Sequence, residues 1–405
     1  MIETAARAFP LNQLLPLCLL VFVDAMGFAM IVPILASNPL SENPLLQSVL
    51  YGLAVGIYPL ATFFAAPLLG ILSDRKGRLP IMLLCGAGLI ASYAAIAVGF
   101  EVGSPTLVIL GRLVGGLTAA TQALALAALS DLGDRGSKDA RINLGLLSSS
   151  LGFVLGPVLS GVLAQIGESA RFDRIAPLVA LMAIAAATMA WLAASYRDRG
   201  APERVEDNPL DFLGSVRELR LAVASPVLRR LSTVFLLQQL AWGGFFFFVA
   251  TFLIDRFAMS NYGVSYFMGV LGIGFCLSFA VVTPLLRKLF PAYPVALGSM
   301  MVTTVCITAA AVGSTVAWEW LLAIPISTGV AVAYGAVISL LTDQADGNEG
   351  GILGVTASIN ALAFGLTSLA GGVIAGGDAV GPIVFAAVLM AASTLLLTGL
   401  RTQRD

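Results

Sequence analysis

Hydrophobic stretches of about twenty residues, separated by short polar segments, recur along the whole chain. A helix must be about this long and this apolar to cross the hydrocarbon core of a bilayer. The pattern therefore predicts an all-α membrane protein with twelve transmembrane helices. The predicted spans are residues 12–36, 47–72, 79–99, 105–130, 140–165, 175–196, 229–254, 262–286, 292–314, 318–341, 351–376 and 379–400.

Positive charges fall mainly in every second connection between the predicted spans. Cytoplasmic loops of inner-membrane proteins are enriched in lysine and arginine. If the N-terminus lies inside, the segments on that side hold 18 of the 22 Lys and Arg residues, and the opposite loops hold 3. We therefore expect a multi-pass protein of a bacterial-type inner (plasma) membrane, with both termini in the cytoplasm.

The longest polar stretch follows the sixth span and divides the chain into two halves. We expect an N-terminal six-helix half at residues 1–196, a cytoplasmic linker at 197–228 and a C-terminal six-helix half at 229–405. Apolar linker residues recur at helical spacing, at Leu210, Leu213, Val216 and Val223. This spacing predicts a short amphipathic helix on the inner membrane surface, with a flexible linker as the alternative.

The two halves also resemble each other in sequence. Asp131 at the end of the fourth span has a counterpart in Asp343 at the end of the tenth, and Pro80 has one in Pro294. The two pairs are separated by 212 and 214 residues. Matches at nearly one offset predict duplicated halves, a transporter plan in which the binding site lies between the repeats.

Composition narrows the possible chemistry. The chain is 58% hydrophobic and 11% charged, whereas soluble domains are near 45–50% apolar and about 25% charged. A net charge of -1 gives no support to nucleic-acid binding. The chain has no histidine, so proton chemistry must run on carboxylates. Isolated cysteines and the lack of a nucleophile–base pattern predict no metal, no cofactor and no enzyme activity.

The most specific motif lies between the second and third spans, at residues 70–78. It resembles the hallmark of the major facilitator superfamily, Gly-x-x-x-Asp-Arg-x-Gly-Arg. The resemblance implies the twelve-helix fold of that family and a conformational switch formed by Gly70, Asp74, Arg75, Gly77, Arg78 and Asp131. We expect a tight turn at Gly77 and a pair between Asp74 and Arg78. The resemblance also implies that Asp74 faces the N-terminus of the eleventh span, near Gly350 or Gly351, in one state.

Asp24 lies about 12 residues into the first span, which is roughly 18 Å deep at 1.5 Å per residue. A carboxylate near mid-membrane is costly and is by default a functional candidate. The residues from Asp24 to Pro33 resemble the first span of drug/proton antiporters, and most closely that of tetracycline efflux proteins. The resemblance predicts that Asp24 carries the transported proton. A structural polar group is the alternative.

Arg112 lies in the fourth span, within a sequence that resembles the superfamily's Arg-x-x-x-Gly motif. Counted at 1.5 Å per residue, it comes to nearly the same depth as Asp24. The family fold places the first and fourth spans on the same cavity. We therefore predict a proton-coupling pair of Asp24 and Arg112, joined directly or through water.

The fifth span contains Gly152, Gly156, Pro157 and Gly161 at a spacing that resembles the antiporter motif Gly-x-x-x-Gly-Pro-x-x-Gly-Gly. Ser160 replaces one of its glycines. Small residues at this spacing permit close helix packing, and a proline permits a bend. The motif is associated with exporters and favours efflux over uptake, while ordinary close packing is the alternative.

A substrate cavity is predicted where polar and aromatic residues interrupt apolar runs. Aromatic walls with a few amides suit an amphipathic organic molecule. The candidates are Tyr58, Thr62, Gln122, Gln238, Gln239, Trp242, Phe246, Tyr266, Tyr334, Asn360 and Phe364.

The sequence as a whole predicts a monomeric secondary transporter that exports a small amphipathic drug or metabolite in exchange for protons. A siderophore or metabolite transporter of the same fold, working in either direction, and a membrane assembly subunit that does not transport are the alternatives. Tetracycline efflux proteins carry a third-span Asp where this chain has Ser92, and an eighth-span His that this chain lacks. Tetracycline is therefore not predicted as the substrate.

Overall fold

The computed structural model describes residues 11–132, 138–165, 170–198, 214–345 and 347–399. Within these residues the fold is all-helical, and twelve spans are long and apolar enough to cross a membrane, as predicted. The helices of the spans are Leu11–Ser37, Pro44–Lys76, Arg78–Val102, Pro105–Leu117 with Thr121–Asp131, Lys138–Leu163, Ala170–Ser195, Pro226–Phe257, Asn261–Leu277 with Thr283–Leu289, Ala292–Val312, Val316–Thr342, Glu349–Ala375 and Gly381–Thr398.

Short polar residues fix where several spans begin. Their side-chain oxygens accept a hydrogen bond from the backbone N–H three residues on, which satisfies a donor that has no partner inside the helix. The capping residues are Asn43, Ser104, Ser225, Ser260, Thr315 and Asn348. A proline follows three of them and occupies the first helical position, where its missing N–H costs nothing.

Two predicted spans are not continuous α-helices. The fourth span breaks at residues 118–120, after two consecutive glycines that hold a helix weakly, and the N–H of Thr118 donates to the carbonyl of Gly115. The eighth span widens into a π-helical turn, Ser278–Val282, just before Pro284. A π turn accommodates the hydrogen bond that a proline removes. Hydrophobicity alone does not detect either interruption.

The linker contains a short helix, Gly214–Glu218, and a 3₁₀ turn, Leu221–Val223. Val216 and Val223 are exposed, whereas Ser215 and Ala222 are buried against the spans. The first part of the predicted amphipathic segment, including Leu210 and Leu213, lies outside the described residues.

The first span runs from the end of the bundle that carries Asp74 to the end that carries Ser37; we call these the Asp74 end and the Ser37 end. Near the Ser37 end, the second and eleventh spans meet through small residues. A Cβ on Gly52 would lie 2.5 Å from the Ser368 carbonyl oxygen and 2.7 Å from Cα of Gly372. Only glycine permits so close an approach of two backbones.

A second contact between the halves joins the fifth and eighth spans, also near the Ser37 end. Gly161 lies against Ser265, and Gly272 lies against Val154. Among the described residues, the last helix of the eighth span, Thr283–Leu289, packs on the ninth span and makes no comparable contact with the fifth. The halves are thus joined at the Ser37 end and diverge toward the Asp74 end.

Replacing Gly52 with valine is expected to open the Ser37 end, because the new side chain overlaps the backbone of the eleventh span. Spin labels on Glu42→Cys and Asp378→Cys, one in each half, would then report a new population at longer distance by pulsed electron paramagnetic resonance. Gly298→Val is the matched control, since no atom lies within 4 Å of its Cβ position. An unchanged distance in Gly52→Val would contradict the glycine contact.

Candidate functional site

The loop between the second and third spans turns at Gly77, whose φ of 93° is in the left-handed region that favours glycine. The turn places Arg78 between two carboxylates. Its Nη1 lies 3.6 Å from Asp74 Oδ1, and its Nε donates to Asp131 Oδ2 over 2.6 Å. Both carboxylates are about half exposed, so the ion pairs are partly screened by solvent.

Asp198 is a further member of this loop that sequence reasoning missed. Its carboxylate accepts hydrogen bonds from the backbone N–H groups of Arg78 and Leu79, each at 3.2 Å, and so caps the third span. A Cβ on Gly77 would lie 2.7 Å from Asp198 Oδ2, so the glycine also makes room for the cap. Burial, followed by the Asp198 charge, raises the pKa of neighbouring Tyr196 to about 12.

The expected contact of Asp74 with the start of the eleventh span is not formed in this conformation. No atom of the described residues lies within 4 Å of the Cβ position of Gly350, in the first turn of that span. The expected contact between Asp74 and that helix terminus therefore stays a prediction for another state.

Asp24 lies at the middle of the first span and is partly exposed, whereas its neighbours Val23 and Ala25 are buried. Its carboxylate makes no hydrogen bond or ion pair with the described residues. The Tyr93 hydroxyl lies against Gly27, one turn further along the first span. Asp24 is thus a carboxyl group inside the helical bundle without a fixed protein partner.

Arg112 is 1% exposed and has different partners from the one predicted. Its Nε donates to the carbonyl of Ala54 in the second span over 3.0 Å, and its guanidinium lies 4.5 Å from the centre of the Tyr58 ring. No ion pair joins it to Asp24 within the described part of the chain. Tyr58 and Tyr93 lie within electrostatic range of both charged groups. A water-mediated Asp24–Arg112 pair therefore stays a prediction.

An aromatic cluster lies on the Ser37 side of Asp24. At its centre is Phe28, four residues after Asp24 in the first span, and rings from the second, fifth and seventh spans surround it. The ring-centre distances from Phe28 are 5.9 Å to Tyr58, 5.9 Å to Phe153, 6.3 Å to Phe246 and 6.2 Å to Phe247. Phe364 of the eleventh span completes the cluster, 5.3 Å from Phe247. The rings occupy the centre of the bundle on the Ser37 side of Asp24.

Two predicted cavity amides lie on the Asp74 side of the aromatic cluster. Gln239 is two helical turns before Phe246, and Asn360 is one turn before Phe364, each on the same helix face. Gln239 Oε1 has no hydrogen-bond partner, and neither amide atom of Gln238 has one, although both residues are buried. Such groups cost about 1–3 kcal/mol each when left unpaired. The ring of Trp242 packs beside that of Phe246, with 5.3 Å between the ring centres.

Other predicted cavity residues are used elsewhere in the structure. Thr62 donates to the carbonyls of Tyr58 and Gly116, and Gln122 donates to Ser149, so both tie neighbouring spans together. Tyr266 pairs with Tyr262 near the Ser37 end, at 2.6 Å between the hydroxyls. Tyr334 lies against Phe235, 5.7 Å between ring centres. Only part of the predicted set is therefore brought together around Asp24.

The family profile of the Major Facilitator Superfamily matches residues 17–372, which is most of the chain. The chain belongs to the major facilitator superfamily. The superfamily consists of membrane transporters, so this protein is a multi-pass membrane transporter by family.

Similar proteins within the superfamily include a tetracycline resistance protein and a human protein named only for its superfamily domain. The class C tetracycline resistance protein of Escherichia coli is 32% identical over 285 residues, which cover 69% of this chain and 68% of that protein. The human major facilitator superfamily domain-containing protein 10 is 36% identical over 118 residues, which cover 29% of this chain and 25% of that protein.

Solved structures of the superfamily share the fold. The crystal structure of the human organic anion transporter MFSD10 (TETRAN) matches with a TM-score of 0.67 and 20% identity, and covers 96% of this chain and 99% of that chain. The D-xylose-proton symporter matches with a TM-score of 0.73 and 13% identity, and covers 97% of both chains. At these identities the likeness concerns the fold alone.

Two glycines of the fifth-span motif, Gly152 and Gly156, contact the backbone of the first span. A Cβ on Gly152 would lie 2.5 Å from the Phe22 carbonyl oxygen, and one on Gly156 would lie 2.6 Å from that of Met26. The backbone on both sides of Asp24 is therefore clamped against the fifth span. Pro157 lies within the helix one residue later, and Gly161 contacts the other half. Ser92 of the third span is buried against Gly115.

The Asp198→Ala variant is expected to lower the midpoint of thermal unfolding by a few degrees, because loss of a helix cap typically costs about 1 kcal/mol. Asp198→Asn is the matched control, since an amide oxygen still accepts from the two N–H groups. Fluorescence-monitored unfolding of purified protein distinguishes them. If alanine and asparagine unfold at the same temperature, Asp198 does not act as the cap.

Proposed function

We propose that this transporter exports a small amphipathic organic compound, drug or metabolite, in exchange for protons by alternating access, with Asp24 as the proton carrier. The observation that carries the proposal is the carboxyl group of Asp24, which lies at the middle of a membrane span and makes no hydrogen bond or ion pair with the described residues. Burial disfavours a charged carboxylate, so such a group gains from binding a proton or a cationic ligand when either reaches it.

The aromatic cluster supports alternating access. In the present conformation it separates Asp24 from the Ser37 end, where glycine contacts also join the halves. A proton or substrate therefore reaches Asp24 from the Asp74 end. Rearrangement of the two halves around Phe28 would expose the same carboxyl to the other side, as in transporters built from two repeats around a central site. We propose the halves 1–196 and 229–405 as the moving units, in an inner membrane with the Asp74 end in the cytoplasm.

Arg112 is proposed to tune this carboxyl through its surroundings. Its fixed positive charge is held by Ala54 and Tyr58, and Tyr58 connects it to the aromatic cluster. A nearby cation favours the charged form of an acid, in opposition to burial. In this proposal the positive charge of Arg112 opposes the effect of burial on the Asp24 carboxyl.

The substrate chemistry is proposed from the groups around Asp24. The rings of Phe28, Tyr58 and Phe246 offer apolar and stacking surface. Gln239 offers an amide oxygen that has no hydrogen-bond partner among the described residues, and Asn360 adds a second amide. Such a site suits a partly aromatic molecule with a few polar groups. Similarity to tetracycline resistance proteins and the fifth-span motif favour export over uptake.

The Asp24→Asn variant is expected to reduce pH-driven transport to background, because asparagine keeps the size of the side chain but cannot exchange a proton. Proteoliposomes with an imposed pH gradient measure this directly, and substrate binding should lose its pH dependence at the same time. Asp378→Asn, near the Ser37 end of the eleventh span, is the matched control. Transport by Asp24→Asn with the rate and pH dependence of the wild type would refute the proton-carrier role, whereas a lack of pH-driven transport in the wild-type protein itself would favour an assembly subunit.

Everted membrane vesicles provide the test of substrate and direction. Ethidium, tetracycline and fluorescein represent a cationic, a zwitterionic and an anionic aromatic compound. A drug/proton exporter should accumulate at least one of them when the vesicle interior is acidified, and collapse of the pH gradient should stop it. Accumulation that requires the opposite gradient would indicate an importer, the alternative of the same fold.

A further inference from the structure

The linker packs into the seam between the two halves. Its short helix, Gly214–Glu218, contacts both the second and the eleventh spans, on the Asp74 side of their glycine contact. The turn that follows, Leu221–Val223, also contacts the eleventh span, and Ala222 is buried. This position is unusual for a connection whose task is only to join two domains, because most connections run over the surface.

Ser215 fixes the linker to the second span through a carbonyl that a proline has freed. Pro67 has no N–H, so the carbonyl of Phe63, four residues earlier, lacks its helical donor. The Ser215 hydroxyl donates to this carbonyl, and Ser215 is only 4% exposed. Because the membrane interior offers no replacement donor, the contact is stabilising.

Glu218 fixes the same helix to the eleventh span. The Ser358 hydroxyl donates to Glu218 Oε2 over 3.1 Å. A Cβ on Gly354 would lie 3.2 Å from the Glu218 carboxylate, so the carboxylate rests in the groove that this glycine leaves. The linker helix is therefore held on one side by Phe63 and on the other by Ser358 and Gly354.

The contact between the second and eleventh spans has a regular antiparallel register. Gly52 lies against Gly372, and Gly56, four residues on, lies against Ser368, four residues back. Continued along both helices, this register brings Gly70 opposite Gly354 and Asp74 opposite Gly350. In the present conformation no atom of the described residues lies within 4 Å of the Cβ positions of Gly70 and Gly350. The Gly354 groove, in contrast, is occupied by Glu218.

We propose that linker residues 214–218 form a removable wedge that holds the Asp74 end open. Glu218 occupies the Gly354 groove in the open state and leaves it before Gly70 closes on the same groove. Closure then brings Asp74 to the N-terminus of the eleventh span, where the helix dipole favours a carboxylate. The inference rests on the alternating access proposed above, and it assigns the linker an active part in that process.

The wedge is tested by removing the hydrogen bonds that hold it between the second and eleventh spans. Spin labels on Lys138→Cys and Lys288→Cys, in a variant with the four natural cysteines replaced by alanine, report the separation of the halves at the Asp74 end. Combining Ser215→Ala with Glu218→Ala should shift the ratio of short to long distances on the order of tenfold toward the short ones, because two hydrogen bonds of the open state are lost. Val216→Ala, on the exposed side of the same helix, should leave the ratio unchanged. An unshifted ratio in the double variant overturns the proposal.

The register is tested independently by adding a side chain at Gly70, the residue that the register places opposite Gly354. Gly70→Leu fits the open state, where its position faces empty space, but blocks the approach to Gly354. We expect only the long distance in this variant, with an unchanged unfolding temperature; Gly298→Leu, also facing open space, is the control. A short-distance population that persists in Gly70→Leu overturns the register. If Gly70→Leu does not fold, Gly70→Ala is read in the same way.

The distance measurement needs no substrate, so it separates the wedge from the transport proposal. If the double variant shifts the distances but Asp24→Asn still transports like the wild type, the wedge is supported and the proton-carrier role is refuted. An unshifted ratio together with loss of transport in Asp24→Asn overturns the wedge and leaves the transport proposal in place.

Discussion

The membrane interior supplies no water, so a polar side chain there must find its hydrogen-bond partner inside the protein. Several side chains meet this constraint by donating to backbone carbonyls of other spans. Tyr51 donates to Phe247, Thr367 to Leu240 and Ser393 to Val234. Ser215 and Arg112 act in the same way on Phe63 and Ala54. Against this background, the carboxyl of Asp24, which makes no hydrogen bond or ion pair with the described residues, is the group on which the proposed chemistry depends.

Glycine determines how this polar group is presented. Gly152 and Gly156 let the fifth span contact the backbone of the first span on both sides of Asp24. Gly52 and Gly372 let the two halves meet directly at one end of the bundle. The first contact lies within one half and would persist during the proposed alternating access. The second lies between the halves and would break when they rearrange. Small residues thus serve both the fixed and the moving parts of the molecule.

Much of the fold could be predicted from the sequence because hydrophobic length reports directly on membrane spans. The turn at Gly77 and the Arg78 pair with Asp74 were also predictable, since a short motif encodes them locally. The interruption of the fourth span was not, because it depends on hydrogen bonds around Gly115 and Thr118. Asp198 and Glu218 could not be recognised either. They are ordinary polar residues in a linker region, and their partners are more than a hundred residues away in the chain.

Asp24 lies thirteen residues from the first residue of its span and thirteen from the last. A charge that crosses a whole membrane at 100 mV exchanges about 2.3 kcal/mol with the electric field. In the proton exchange proposed above, a field that falls evenly with depth would place a proton on Asp24 about halfway across it. The membrane voltage would then act on proton entry and proton release to nearly the same extent.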